Sequence, residues 1–189
     1  MKNRDIFKEC PRYQNKVLCF RKISRNDLDD LYEVYSDVNS VPFFNSDGCN
    51  GDTFYYDTRE KMKNAIKFWC DAFKNGWFAR ITIIDRMNNK AIGTLEICLR
   101  KSVDSFDNCV IVRIDLKSEY ERYDIIDSVI KTSIPKIIEC YGKRKIITKG
   151  FDKSLERTKA LIDNGFYLSK RKLIANDNKE YGNYYVLKA

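Results

Sequence analysis

Histidine is absent from this 189-residue sequence. That removes histidine-assisted serine or cysteine hydrolysis, histidine zinc sites and imidazole proton shuttles, leaving Asp, Glu, Lys, Tyr, Cys or water for any proton transfer. The seven cysteines, at 10, 19, 49, 70, 98, 109 and 140, are widely spaced and contain no C-x-x-C pair, so a zinc ribbon or dithiol redox motif is excluded. They read as small buried hydrophobes, and no metal site is expected. Apolar runs are only a few residues long, too short for a membrane span or the core of a signal peptide, and a cytoplasmic protein without a membrane partner is expected. Glycine and proline number eight and three, and no Gly/Ser/Pro-rich linker interrupts the chain. What remains is 43% hydrophobic and 13% aromatic, enough for one domain over residues 1–189 with residues 1–15 as an N-terminal extension.

The formal charge of +8 is uneven. Residues 141–189 hold twelve Lys and Arg against five Asp and Glu, which places +7 in the last quarter. Such a face suits a polyanion or is simply a solvated surface. No nucleic-acid recognition motif accompanies it, and a nucleic-acid partner ranks below the readings that follow.

Hydrophobic periods divide the chain. Lys16 to Ile23 alternates as a strand, and Asn26 or Asp27 is placed to cap a helix with Leu28, Leu31, Tyr32, Tyr35 and Val38 inward. Ser40 to Asp57 is a long irregular segment rich in aromatics, in which Asp47, Asp52 and Asp57 are either turn formers or attractors for a cationic amine. Asp57 and Glu60 have capping-box spacing ahead of a helix that stops at Asn75-Gly76. Trp77 to Asp85 and Lys90 to Leu99 form a hairpin through Asn88-Asn89. A strand at Cys109 to Leu116 then leads into a helix carrying Ile125, Ile126, Val129, Ile130, Ile137 and Ile138, which contains Pro135. A strand near Ile146 to Thr148, a helix closed by Asn164-Gly165-Phe166, and strands at Phe166 to Leu173 and Asn183 to Lys188 around an Asn-Asp-Asn turn complete the chain.

The layout is α+β: a mixed, mostly antiparallel sheet of about seven strands flanked by about four helices. Four segments, in this order, resemble the GNAT superfamily of N-acetyltransferases, its ribosomal-protein N-terminal acetyltransferase branch in particular. Leu18 to Ile23 with Asp27 resembles the opening strand and first helix, and Ala91-Ile92-Gly93-Thr94 the "IG" of the third strand. Lys117-Ser118-Glu119-Tyr120 resembles the "x-P-E-Y" that leaves the fourth strand, and Ser154 to Phe166 the final helix. The resemblance implies acetyl-CoA as cosubstrate, direct attack by a primary amine of a small molecule or protein N-terminus, and a pyrophosphate held by backbone N–H groups where a helix begins.

The glycines that normally let that backbone approach phosphate are missing. Their region reads Glu121, Arg122, Tyr123, Asp124, Ile125, Ile126, with Asp124 and Ile126 at the small positions, and Lys117 to Asp127 contains two basic and four acidic residues. Ser118 and Glu121 have capping-box spacing, which would start the helix early and leave no phosphate loop. If the loop survives, the resemblance assigns coenzyme contacts to Ile114, Leu116, Lys117, Arg122, Tyr123, Asp124, Ile125, Ile126 and Ser154, the last standing at a family Asn and also placed to cap its helix. Leu161 stands where some branches have a Tyr acid, and Tyr120 and Tyr123 are nearby hydroxyls. Strand alternation puts Glu96 beside Thr94 and Asp115 beside Arg113, which makes Glu96 or Asp115 the catalytic base or, alternatively, a member of a paired ionic layer. Two readings therefore stand: an acetyl-CoA-dependent N-acyltransferase, and a non-catalytic protein of the same fold that has lost its coenzyme site.

Overall fold

The computed structural model describes residues 5–175 and 177–188. In chain order the elements are β1 (Tyr13–Gln14), β2 (Leu18–Lys22), α1 (Leu28–Tyr35), α2 (Arg59–Lys74), β3 (Ala79–Asp85), β4 (Lys90–Leu99), β5 (Val110–Leu116), α3 (Tyr123–Tyr141), β6 (Lys145–Lys149), α4 (Leu155–Asp163), β7 (Tyr167–Leu168), β8 (Leu173–Ile174), β9 (Glu180–Tyr181) and β10 (Tyr184–Lys188). The main sheet has eight strands in the order β1-β2-β3-β4-β5-β6-β10-β7, and β8 pairs with β9 as a separate ribbon. Every pairing is antiparallel except β5 with β6.

Alternation along the central strands sorts their side chains. Ile81 and Ile83, Leu95 and Ile97, and Val112, Ile114 and Leu116 face the apolar stripes of α3 and α4, where Ile125, Ile126, Val129, Ile130, Ile137, Ala160 and Leu161 are buried. Each such Ile or Leu stabilises the fold by roughly 1.5–3 kcal/mol on burial. The opposite face is covered by α1, α2 and the irregular segment between them, through Leu31, Val34, Tyr35, Phe44, Phe54, Met62, Ile66 and Trp69. Part of the stretch expected as an extension lies on the first face: Ile6 is buried, and Tyr13 stacks on Phe20 with ring centroids 4.8 Å apart.

Several local expectations need correction. Thr58, not Asp57, caps α2, accepting the Lys61 N–H, while Asp57 pairs with Lys61 Nζ at 2.7 Å. Asp27 stands at the N-cap position of α1 but makes no side-chain capping bond there; its carboxylate reaches back to the Ser24 N–H at 2.9 Å and is shared with Arg21 and Thr82. The single strand expected over Phe166 to Leu173 is divided between β7 and β8, which belong to different sheets. Asn176 of the expected Asn-Asp-Asn turn lies outside the described residues. Pro135 lies inside α3, and Asn89 adopts the left-handed φ of 53° that its turn requires.

Candidate functional site

β5 and β6 run parallel and pair only at Val110 with Ile146 and Ile111 with Ile147. Beyond Ile111 they diverge, and Val112 to Leu116 keeps a strand partner on the β4 side alone. Each diverging strand feeds a helix, β5 into α3 and β6 into α4. The helix after β5 does not start early: Ser118–Tyr120 is one 3-10 turn and α3 begins at Tyr123. The expected Ser118–Glu121 capping box is thus not formed, because the Glu121 carboxylate is turned toward α4 instead.

There Glu121 accepts from Arg157 Nε at 2.7 Å, from its terminal nitrogen at 2.6 Å and from Ser154 Oγ at 3.0 Å. Both side chains are buried, Arg157 at 1% and Glu121 at 4% exposure, and the guanidinium lies 5.1 Å from the centre of the Phe151 ring. This bidentate pair ties the turn before α3 to the first turn of α4. It spans the opening between the helices that follow the two diverging strands.

Several backbone donors at the start of α3 are spoken for as well. The first N–H groups of a helix have no partner within it and are what an anion binds. Here the Arg122 N–H goes to Tyr120 O, the Tyr123 N–H to the Glu156 carboxylate at 2.8 Å, and the Ile126 N–H to Arg122 O within the helix. The N–H groups of Asp124 and Ile125 make no hydrogen bond to any residue other than Asp124 among the described residues; the Asp124 carboxylate lies beside them and is held below its usual range chiefly by Arg122. Arg122 is paired with Asp124 at 3.1 Å and Lys117 with Glu119 and Glu33 at 3.0 and 3.4 Å. Ile125 and Ile126 are buried in the core. Ser154 caps α4, accepting the Arg157 N–H.

Beneath the splay, the void that Leu95, Val112, Ile114, Thr148 and Leu161 form with the inner face of α3 measures about 10 Å³. Pockets for ligands the size of a coenzyme arm run to roughly 300 Å³ or more, and about 10 Å³ corresponds to a single water. Toward acetyl-CoA this arrangement is unfavourable: the carboxylates of Glu156 and Asp124 lie at the start of α3, and the Glu121–Arg157 pair spans the opening.

On the α1–α2 face the other two candidates form a buried ionic layer. Register aligns Arg80, Glu96 and Arg113 in one row and Thr82, Thr94 and Asp115 in the next. Arg80 donates to Glu96 at 2.5 Å and to Asp115 at 2.9 Å, and Arg113 pairs with Glu96 from the other side. Tyr35 donates to Asp115 at 3.1 Å and shares a hydrogen bond with Thr94. Burial alone would raise Glu96, but Arg113 and Arg80 more than offset it and hold the carboxyl below its ordinary range. Asp115 is shifted upward because burial outweighs Arg80. Its Oδ1 has no hydrogen-bond partner among the described residues.

Arg80 is enclosed by aromatic rings. Its guanidinium lies 4.1 Å from the Trp69 ring centre and 5.2 Å from that of Phe54, with Tyr35 and Tyr56 packed against Trp69. The irregular segment supplies Phe54 and Tyr56 to this lining, and its acids are otherwise engaged: Asp47 with Lys149 and Tyr184, Asp52 with Tyr56. Tyr123 donates to Asp163 at 2.8 Å.

A mostly antiparallel sheet whose one parallel pair diverges, each strand of that pair followed by a helix on the same face, is the fold of the GNAT acetyltransferases. Comparison with solved structures gives the same fold. A ribosomal-protein-S5-alanine acetyltransferase from Vibrio fischeri superposes with a TM-score of 0.67 at 15% identity, over 93% of this chain and 94% of that one. A GNAT-family acetyltransferase from Bacillus anthracis gives 0.67 at 13% over 94% and 98%. A ribosomal L7/L12 alpha-N-protein acetyltransferase in complex with coenzyme A gives 0.69 at 11% over 94% and 98%. No protein-family model and no curated protein matches the chain. At these identities the likeness is one of fold. No helix among the described residues is long and apolar enough to cross a membrane.

Proposed function

We propose that this chain is a non-catalytic protein on the GNAT fold, its acetyl-CoA path closed by its own side chains and the scaffold kept for binding another ligand or a protein. The observation that carries this reading is the start of α3, where Glu156 takes the Tyr123 N–H, the Asp124 carboxylate lies beside the next two N–H groups, and Glu121 is locked to Arg157 across the opening. Opening the path would separate a buried ion pair, which costs several kcal/mol, and would bring a polyanion against four carboxylates between Lys117 and Asp127. Arg80, set amid Trp69 and Phe54 and paired with both Glu96 and Asp115, supports the same reading, since it engages the two candidate bases.

A second reading, an acetyl-CoA-dependent N-acyltransferase acting on a primary amine of a small molecule or protein N-terminus, is favoured by the β5–β6 divergence and the late start of α3. It keeps Glu96 and Asp115 as candidate bases and Ile114 and Leu116 as candidate backbone donors, and it requires the Glu121–Arg157 pair to part.

Thermal melting with and without acetyl-CoA separates the two. A coenzyme present at a hundredfold over its dissociation constant adds about 2.7 kcal/mol, or roughly 5–10 °C for a chain of this size. The non-catalytic reading expects no shift with either acetyl-CoA or free CoA. A shift of several degrees with both would favour the enzyme.

A further inference from the structure

At the other edge of the sheet, the register of β1 to β4 sets Gln14, Cys19, Ile84 and Ala91 side by side in one cross-strand row. Tyr13 and Phe20 stack toward the α3 side, so this row faces the α1 side. Two of its four residues, Cys19 and Ala91, are small. The row floors a cavity of about 350 Å³, a volume suited to a small metabolite.

Three arginines and one carboxylate surround that floor: Arg12, Arg21, Arg86 and Asp30. Their charges are unequally compensated. Arg21 is neutralised by Asp27, which it grips with two nitrogens at 2.5 and 3.0 Å. Arg86 is anchored only by neutral carbonyls, those of Asn15 and Lys16, and keeps its full charge. Arg12 has no hydrogen-bond or ion-pair partner among the described residues. Asp30 spends one oxygen on the Ala91 N–H at 2.8 Å, which fixes it at the rim.

We propose that this cavity binds a small ligand bearing a phosphate or carboxylate group, with Arg12 and Arg86 as the anion contacts and Arg21 as a fixed wall. Two uncompensated guanidiniums with forked donors are the chemistry that recognises such oxyanions. Asp30 disfavours a ligand that is anionic over its whole surface, and the concave form excludes a nucleic-acid backbone, which needs an extended basic strip. The site is built on β1 to β4, outside the β5–β6 opening, and does not depend on whether that opening admits a coenzyme.

The test is a heteronuclear NMR titration of the full chain with inorganic phosphate, pyrophosphate and succinate in separate series, repeated on Arg12→Gln, Arg86→Gln and the double variant. A Lys63→Gln variant on α2 serves as the control. Both arginines are exposed, so the variants should melt with the natural protein, and melting curves check this. The expected result is a saturable response centred on Gln14, Cys19 and Ala91, weakened about tenfold or more by each arginine change and unaltered by Lys63→Gln. A stronger response to the phosphates than to succinate would assign a phosphorylated ligand, and the reverse a carboxylate. Absence of saturation by all three probes up to about 20 mM, or binding that survives the double variant, overturns the proposal.

Discussion

Replacing Arg157 by alanine removes one half of the pair that crosses the opening between α3 and α4. The Glu121 carboxylate would then remain buried with only the Ser154 hydroxyl, 3.0 Å away, as a side-chain donor. Breaking a buried pair in this way costs about 3–5 kcal/mol, because the surviving charge has lost its partner and not regained water. Arg157 also gives up its contact with the Phe151 ring, so the upper part of that range applies. For a chain of 189 residues the loss corresponds to a fall of roughly 6–20 °C in Tm. The companion experiment changes both residues, Glu121→Met with Arg157→Leu. Apolar side chains of similar volume need no compensating charge, and the double variant should recover to within about 1 kcal/mol of the natural protein or exceed it. Urea denaturation of the two single variants and the double variant closes the cycle. A loss below about 1 kcal/mol for Arg157→Ala would mean that the pair is solvated, and the argument for a closed path would fail with it.

Arg80→Ala should be at least as damaging, by about 3–5 kcal/mol near neutral pH, since it strands Asp115 inside the sheet layer and leaves Glu96 with Arg113 alone. With the guanidinium gone, burial raises Asp115 further, so the defect should shrink as pH falls toward 5 and that carboxyl takes up a proton; a pH-independent defect in urea titrations would contradict the assignment. Asp104 is held well below its usual value of 3.8: burial alone would raise it, but Arg100 and the N–H groups of Ile174 and Phe106 outweigh that. Its contribution is therefore complete above that value and is lost as pH falls below it, so Asp104→Asn should flatten the acid limb of a stability–pH curve, and an unchanged limb would refute it. Gly93→Ala should cost about 1–3 kcal/mol in denaturant titration, because a Cβ there would lie 2.1 Å from the Asp115 carbonyl oxygen on the paired strand.

The fold was legible in the sequence where periods were long and uninterrupted. The apolar stripe of α3 and the hairpin of β3 and β4 are set by spacing alone, and the buried pairing of Glu96 and Arg113 followed from alternation. Capping was less legible. Asp57 and Thr58 are both competent caps, and only the backbone geometry selects Thr58. At Ser118 the spacing of a capping box is present, but a distant residue, Arg157, competes for Glu121 and wins with two charge-assisted hydrogen bonds. That competitor was nonetheless visible in outline. Arg157 lies three and four residues before Ala160 and Leu161, on the buried face of its helix, where an arginine demands a partner. Arg80 gave a similar signal, since it shares a strand face with Thr82 and therefore meets the face that carries Glu96 and Asp115. Neither β8 nor β9 has a period long enough to read, each being two residues.

The central claim, that this GNAT fold no longer admits acetyl-CoA, is tested most directly by calorimetric titration of the natural protein with acetyl-CoA, with free CoA and an Asp124→Gly variant alongside. The account predicts no saturable heat up to about 1 mM coenzyme for the natural protein, and none for the variant either, because Glu121 and Arg157 still cross the path. Stoichiometric binding of the natural protein in the micromolar range would contradict it and turn attention to the amine acceptor.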